Sequence, residues 1–327
     1  MCNKQQKNHT RCFHISISVC LQMFKFFPDE DEVVDTSGAD RKASPLRPCI
    51  EVKIRQEHYD LAQETPVVNA GGTIPLNLKY INVRDLLKSS KVTGDPNVKS
   101  ILTSSSDLVP GLYEGGFKLW ECTFDLLSYL EDESGKAVSI GPDTKVLDLG
   151  CGHGLLGLYA LGRGAHVLFQ DYNEEVLTFL TIPNTISNFG DEGLLRARYF
   201  AGGWDSINEY AKNNNGGKDW KFDTILSSET IYNMDYFEDF LNLVDLCLKP
   251  SGSLYLAAKT CYFGVGGGTN AFTSLVTSDK YNFGINTVKL IKNGNIMLPV
   301  NILYSVCLFV HVGVQREILR ICRLNES

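Results

Sequence analysis

Val146-Leu147-Asp148-Leu149-Gly150-Cys151-Gly152-His153-Gly154 decides the fold of this chain. Apolar residues run up to an acid, break into closely spaced glycines, and give way to an apolar helical stretch from Leu155. That is a buried strand, a tight turn and a helix start. Backbone without Cβ atoms can pass directly under a ligand. In parallel α/β sheets, this strand–loop–helix unit holds nucleotide-like cofactors.

Two ligands compete for the loop. Gly152, Gly154 and Gly157 satisfy the G-x-G-x-x-G pattern of dinucleotide sites, a weak signal when it stands alone. Asp148 at the strand tip would oppose a pyrophosphate. It suits S-adenosylmethionine, which carries sulfonium and ammonium groups and no phosphate. Asp171 ends the next apolar run, where an acid accepts hydrogen bonds from ribose hydroxyls. The residues favour a methyl donor; a nicotinamide or flavin dinucleotide, or a turn without ligand, stays open at this point.

The 327 residues are 43% hydrophobic and 21% charged, the composition of a soluble globule with ample core. A net charge of −7 argues against direct nucleic-acid binding and suits a basic protein partner. The ten cysteines form no C-x-x-C pair, which points to reduced thiols in the cytoplasm and nucleus. Cys2, His9, Cys12, His14 and Cys20 match no zinc-finger spacing, so no metal is expected. Lys4, Lys7 and Arg11 before an apolar stretch look faintly like a signal peptide, but Lys25 interrupts it and Met23 offers a second start.

Four regions follow from the pattern: a flexible acidic segment over 1–49, a short β extension over 50–110, a core domain over 111–291, and a divergent apolar tail over 292–327. The extension should hold strands at 51–54 and 76–83, joined through Gly71-Gly72. In the core, strands are expected at 145–149, 166–170, 195–200, 222–226, 253–258 and 288–291. Helices are expected at 118–130, 155–161, 174–187 and 235–248. Pro183 should kink or shorten the third helix, and Pro250-Ser251-Gly252 should cap the fourth. The alternation describes a Rossmann-like, three-layer α/β/α sheet that takes ligands at the carboxyl ends of its strands.

Further blocks sit at those strand ends: Gly115-Gly-Phe-Lys-Leu-Trp-Glu-Cys122, Gln170-Asp-Tyr-Asn173, Gly202-Gly-Trp204, Ser228-Glu-Thr-Ile-Tyr-Asn233 and Tyr262-Phe-Gly-Val-Gly-Gly-Gly268. Together with the glycine loop they make the sequence resemble, from about 111 to 272, the histidine protein methyltransferases. That family is a branch of the seven-strand S-adenosylmethionine-dependent methyltransferases. The resemblance implies methyl transfer to a ring nitrogen of a histidine in a large-subunit ribosomal protein. It also implies that Lys118, Leu119, Trp120, Glu121, Cys122, Gly150, Gln170, Asp171, Tyr172, Gly202, Gly203, Trp204 and Ser228 border the cofactor.

The residues' own chemistry adds Asp148 and Gly152 to that border. It puts Trp120 and Glu121 at the donor's methionine end, Asp171 at the ribose, and Tyr172 and Trp204 at the adenine. Packing of Trp120 and Trp204 and helix capping by Asp171 are the plain alternatives. Glu229 and Tyr232, with acid-x-x-Tyr spacing after the fourth strand, are the catalytic candidates. A neutral imidazole already has a lone pair, so it needs alignment and an acceptor for its distal N–H rather than strong activation. Asn233, Tyr262, Phe263, Gly264 and Gly266 should form the substrate rim, with the glycines as a mobile lid or a backbone surface that substrate approaches closely. His153 reads as a local substitution, and Lys259 receives no role.

The 296–314 run is nearly unbroken apolar sequence. It reads as an aberrant final strand region, a tail from an alternative transcript or, least favoured, a membrane span. Such a tail puts completion of the last two strands in doubt. The chain is expected to be a monomer. A lysine-directed enzyme and a catalytically silent binding module are the competing functions.

Overall fold

The computed structural model describes residues 47–70, 77–89, 92, 94–98, 108–109, 111–132, 135–292 and 314–324. The acidic segment up to residue 46, the Cys/His cluster, the Gly71-Gly72 turn and the apolar run over 296–313 lie outside the described residues.

The elements in chain order are β1 (Ile50–Glu51), α1 (Gln56–Glu64), β2 (Val67–Asn69), β3 (Lys79–Ile81), α2 (Val83–Leu86), α3 (Glu121–Glu131), β4 (Lys145–Leu149), α4 (Leu155–Gly162) and β5 (His166–Asp171). There follow α5 (Glu174–Val176), a π-helical turn (Leu177–Thr181), α6 (Ile182–Leu195), β6 (Ala197–Ala201), α7 (Trp204–Asn213), β7 (Phe222–Ser228), α8 (Phe237–Cys247), β8 (Leu248–Lys259), α9 (Thr269–Val276), β9 (Phe283–Ile291) and β10 (Arg316–Arg323).

Eight strands form one sheet in the order β1-β6-β5-β4-β7-β8-β10-β9. The central five, β6 to β8, are parallel, and β10 runs antiparallel between β8 and β9. This is a seven-strand α/β sheet with β1 added at one edge. Alternating strand residues face opposite layers, as the strand period requires. Val146, Val167, Leu226 and Ala257 pack with α3, α4 and α6. Leu147, Leu168, Ile225 and Leu256 pack with α7, α8 and α9.

The extension departs from expectation. The first expected strand is only two residues long, and it pairs with β6 of the main sheet. Residues 56–64 are helical, and β2 with β3 makes a separate hairpin. That hairpin is held to α6 by Ile81 N donating to Asn184 Oδ1 at 2.7 Å and Lys79 N to Asn188 Oδ1 at 2.9 Å.

Pro183 does not end its helix. It stands in the first turn of α6, where a missing N–H is tolerated, directly after the π-helical turn, and the helix runs on to a break at Gly190 (φ +56°, ψ −148°) within the span to Leu195. Pro250-Ser251-Gly252 lies inside β8 rather than capping α8. Pairing with β7 jumps from Phe222–Leu248 to Thr224–Ser253, so these residues form a bulge.

The domain also does not stop at 291. Arg316 to Arg323, assigned by sequence to a divergent tail, form an inner strand of the sheet. Ile318, Leu319 and Ile321 are buried there.

Candidate active site

A cleft opens where β4, β5, β6 and β7 end. Its wall includes Glu114, Lys118, Leu119, Trp120, Thr123, Gly150, Gly152, His153, Asp171, Tyr172, Gly202, Gly203, Trp204, Asp205, Ser228, Glu229, Thr230, Tyr232, Tyr236, Asp239 and Arg47. The sheet order reverses at β4, whose neighbours are β5 and β7, and that is where parallel α/β folds bind ligands.

The floor is the loop after β4. Gly150 has φ of +70°, and a Cβ there would lie 2.4 Å from Thr230 Cγ2. Only glycine fits this crossing. Gln170 fixes the loop against its neighbours. Its Oε1 accepts from Trp204 Nε1 at 3.1 Å and Gly150 N at 3.3 Å, while its Nε2 donates to Gly202 O at 2.9 Å. Fully buried, Gln170 does not itself reach the wall; it ties three loops that do.

Asp171 is on the wall. Its Oδ2 accepts from Gly152 N at 2.9 Å and its Oδ1 from Asn173 N at 3.0 Å. Burial pushes its carboxyl up to about 6 despite these donors. Asn173, not Asp171, stands at the helix cap position before α5. Tyr172 donates to Gly111 O at 2.8 Å, and Arg47 lies over its ring, 5.1 Å from the centroid. Trp204 is braced edge-on by Phe240 at 5.0 Å. Packing and wall position coexist in this side chain.

Asp148 is a correction. It is 1% exposed and lies beneath the loop, outside the cleft. Its Oδ2 accepts from Gly157 N of α4 at 2.8 Å, and burial pushes its carboxyl up to about 8. A group mostly protonated at neutral pH cannot discriminate a cationic from an anionic ligand, so the electrostatic argument built on Asp148 falls. Cys122 is also enclosed, its thiol pushed up by burial. Glu121 opens α3, where its Oε2 pairs with Lys259 Nζ at 3.2 Å. Neither lines the cleft.

At the other end, Glu229 leaves β7 with φ of +58°, a left-handed conformation that costs a non-glycine residue about 1–2 kcal/mol. Such strain collects at functional sites. Glu229 Oε2 accepts from Tyr262 Oη. Its Oε1 is buried without a hydrogen-bond partner, 3.8 Å from Lys259 Nζ. Tyr232 donates to Glu114 Oε2, and Glu114 Oε1 accepts from Gly111 N at 2.7 Å. Burial pushes Glu114 up to about 6.

The rim glycines are less free than a lid. Gly267 N donates to Tyr232 O and Gly268 N to Ile231 O, each at 2.9 Å, and Asn233 bridges Gly266. The loop is laced to the segment after β7. Gly264 and Gly266, with Tyr262 and Asn233, build its turn rather than the cleft wall. Phe263 projects from it, 81% exposed.

Sequence reasoning missed Arg47, Glu114, Thr123, Tyr236 and Asp239 on the wall. Glu114, beside the quoted glycine block, was the most accessible of these; Arg47 enters through the segment before β1, with no motif to announce it. His153 is buried on the wall. Its Nε2–H donates to Phe117 O at 3.0 Å, and burial lowers its pKa to about 4, so it is a neutral packing group.

The donor set fits S-adenosylmethionine. A glycine crossing leaves room for a small ligand, a carboxylate stands at the end of β5 for ribose hydroxyls, and Tyr172 and Trp204 offer aromatic surface for a base. Among the described residues there is no His/Cys/Asp/Glu cluster able to hold a metal, and no helix long and apolar enough to cross a membrane.

A family profile described as lysine methyltransferase matches residues 111–264. The histidine protein methyltransferase 1 homolog of Dictyostelium discoideum is 47% identical over 197 residues. That match covers 59% of this chain and 58% of the Dictyostelium protein. The homolog of Rattus norvegicus is 38% identical over 306 residues, 84% of this chain and 82% of its own. A solved structure described as a TehB-like SAM-dependent methyltransferase from Corynebacterium glutamicum aligns over 57% of this chain and 83% of its own, at 16% identity and TM-score 0.37.

Proposed function

Because the chain belongs to the histidine protein methyltransferase family, we propose that it transfers a methyl group to a ring nitrogen of a histidine in a protein, a large-subunit ribosomal protein in particular. S-adenosylmethionine supplies that methyl as a sulfonium-borne electrophile. Gly150 and Gly152 give it room, Asp171 takes the ribose hydroxyls, and Tyr172 and Trp204 flank the adenine. Lys118, Leu119, Trp120 and Ser228 line the methionine end.

The observation that supports a histidine acceptor best is Glu229. It is a strained carboxylate on the cleft wall whose Oε1 lacks a hydrogen-bond partner. Oε1 makes no hydrogen bond although Lys259 Nζ lies 3.8 Å away, and an imidazole N–H is a donor that would complete it. With the donor bound, a ring nitrogen held by Glu229 would present its lone pair to the methyl carbon, and sulfur would keep the electron pair of the broken bond. Glu229 balances the imidazolium charge that develops, and the distal proton leaves to solvent. Tyr232, held by Glu114, sits beside that path as a positioning residue.

The net charge of −7 suits a basic ribosomal partner. Six unpaired cysteines among the described residues accord with a cytoplasmic and nuclear setting. A monomer without direct nucleic-acid contact completes the reading. Lysine is the second acceptor, favoured by the description of the matching family profile.

Incubating the full chain with labelled donor and ribosomal protein extract, followed by residue-level mass spectrometry, separates the two. Methylhistidine is expected. Methyllysine alone would overturn the histidine reading, and no transfer together with no heat on titration of S-adenosylhomocysteine would leave a silent binding module.

A further inference from the structure

We propose that Lys259 sets the charge of the acceptor end of the cleft, so that the site takes a neutral imidazole and turns away an ammonium. The inference rests on the histidine reading and goes beyond it by assigning selectivity to a residue off the wall.

Lys259 ends β8 and is not among the residues that line the cleft. Its Nζ is 3.8 Å from Glu229 Oε1 and 3.2 Å from Glu121 Oε2. It also lies over the Trp120 and Tyr262 rings, 5.5 and 5.7 Å from their centroids. The two carboxylates differ in setting. The Glu229 side chain is 3% exposed, whereas that of Glu121 is 62% exposed and screened by water. Lys259 therefore stands between two carboxylates, and of the two the buried Glu229 gains more from its charge than the water-screened Glu121.

The other titratable or charged groups around Lys259 and Glu229 are Cys122 and Asp125 of α3, Tyr262 of the rim loop, Arg316 of β10, and Lys118, whose Nζ lies 4.4 Å from the centroid of the Trp120 ring. Arg316 is spent on Asp125, with Nε to Oδ2 at 2.5 Å and Nη2 to Oδ1 at 3.3 Å. Burial holds the Cys122 thiol and the Tyr262 phenol protonated. Lys259 is thus the cation poised to offset Glu229.

Without that cation, Glu229 would defeat the reaction it serves. A carboxylate within hydrogen-bond reach raises a neighbouring base by roughly 1–3 pH units. An imidazole of ordinary pKa about 6.5 would then be bound mostly as imidazolium at neutral pH, with no lone pair to attack. Lys259 lets Glu229 accept an N–H without protonating the ring. For lysine the consequence is exclusion. Only about one amine in 2,500 is neutral at pH 7, from a pKa near 10.4, and the Lys259 ammonium already beside Glu229 opposes the entry of a second one.

The test uses full-length wild type, Lys259→Gln, Lys259→Arg and Glu229→Gln/Lys259→Gln. Two probes are needed: the ribosomal peptide that becomes methylated, and the same peptide with lysine replacing the target histidine. Lys259→Gln should move the acidic limb of the kcat–pH profile upward by about one unit or more. It should also turn the lysine peptide into a competitive inhibitor. Lys259→Arg and the double variant should return the limb to its wild-type position.

If Lys259→Gln does not fold, judged by melting and S-adenosylhomocysteine binding, Glu229→Gln serves instead. It removes the carboxylate beside the ring, leaves Lys259 paired with Glu121 alone, and should move the limb downward. Lower kcat with an unmoved limb and no inhibition would overturn the charge assignment while leaving histidine transfer intact. Wild type that methylates only the lysine peptide would overturn both.

Discussion

Gln170 should govern both stability and donor affinity without touching the donor. In Gln170→Leu, the Gly202 carbonyl, the Trp204 indole N–H and the Gly150 amide lose partners now at 2.9, 3.1 and 3.3 Å. An orphaned buried polar group costs about 1–3 kcal/mol. All three border the cleft, but Gly202 is buried and bears most of that cost, whereas Gly150 and Trp204 are partly exposed. The expected loss is roughly 2–5 kcal/mol, read as a shift of the urea midpoint at constant slope. Untied loops should also weaken S-adenosylhomocysteine binding at least about tenfold, near 1.4 kcal/mol, in calorimetry.

Gln170→Glu sharpens the test. A protonated carboxyl can donate to Gly202 O, but an ionised one opposes it, so the folded-state pKa should rise above the unfolded value of about 4.3. Stability is then present below that pH and lost as pH rises, by about 1.4 kcal/mol per unit until the folded pKa is reached. Wild-type urea midpoint and affinity in Gln170→Leu, or a flat pH profile in Gln170→Glu, would refute the reasoning.

Other perturbations have equally definite outcomes. Asp148 rests near 8 in the folded state against about 3.9 unfolded, so its contribution is complete below pH 4 and drains away as pH rises toward 8. Asp171 and Glu114, both near 6, add to the early part of that decline. Melting temperature should fall between pH 6 and 8, and Asp148→Asn should flatten that fall while keeping donor binding. Gly150→Ala should abolish donor binding through the clash with Thr230. Thr230→Ser in the same chain should recover part of it, leaving about 1–2 kcal/mol of left-handed strain in the melting curve. Phe263→Ala should raise KM for the protein substrate several-fold with an unchanged melting temperature, since an 81% exposed ring stabilises little of the fold.

The parallel core was readable because its strands are short apolar runs bounded by glycines. β4 falls at 145–149 as the pattern says, and its residues alternate between the two helical layers. β10 was not readable. Its burial pattern puts Ile318, Leu319 and Ile321 inside among Arg316, Arg320 and Arg323, which alone describes a weak strand. What makes it an inner strand is pairing with Ser253–Lys259 on one side and Phe283–Ile291 on the other, and such long-range pairing leaves no local mark. The cleft wall was legible where motifs end strands, as at Gly150, Asp171, Trp204 and Glu229. Asp148 misled because a strand-tip acid looks the same whether it faces a ligand or a helix amide. Arg47 escaped because a crossing segment is positioned by tertiary contacts: Gly203 N donates to its carbonyl at 3.2 Å and its Nη2 donates to Leu112 O at 2.8 Å.

The strand order has a bearing on biosynthesis. A ribosome makes β10 after every other described strand, yet β10 belongs between two of them. Until it arrives, β8 and β9 present unsatisfied backbone to whatever protein is nearby, a state in which nascent chains stick to one another. Arg316 also grips Asp125 on α3, the helix that carries Thr123 to Ser228 at 2.8 Å. The emerging polypeptide should therefore stay inert toward its donor until β10 threads home, and chaperone occupancy during synthesis should peak in that interval.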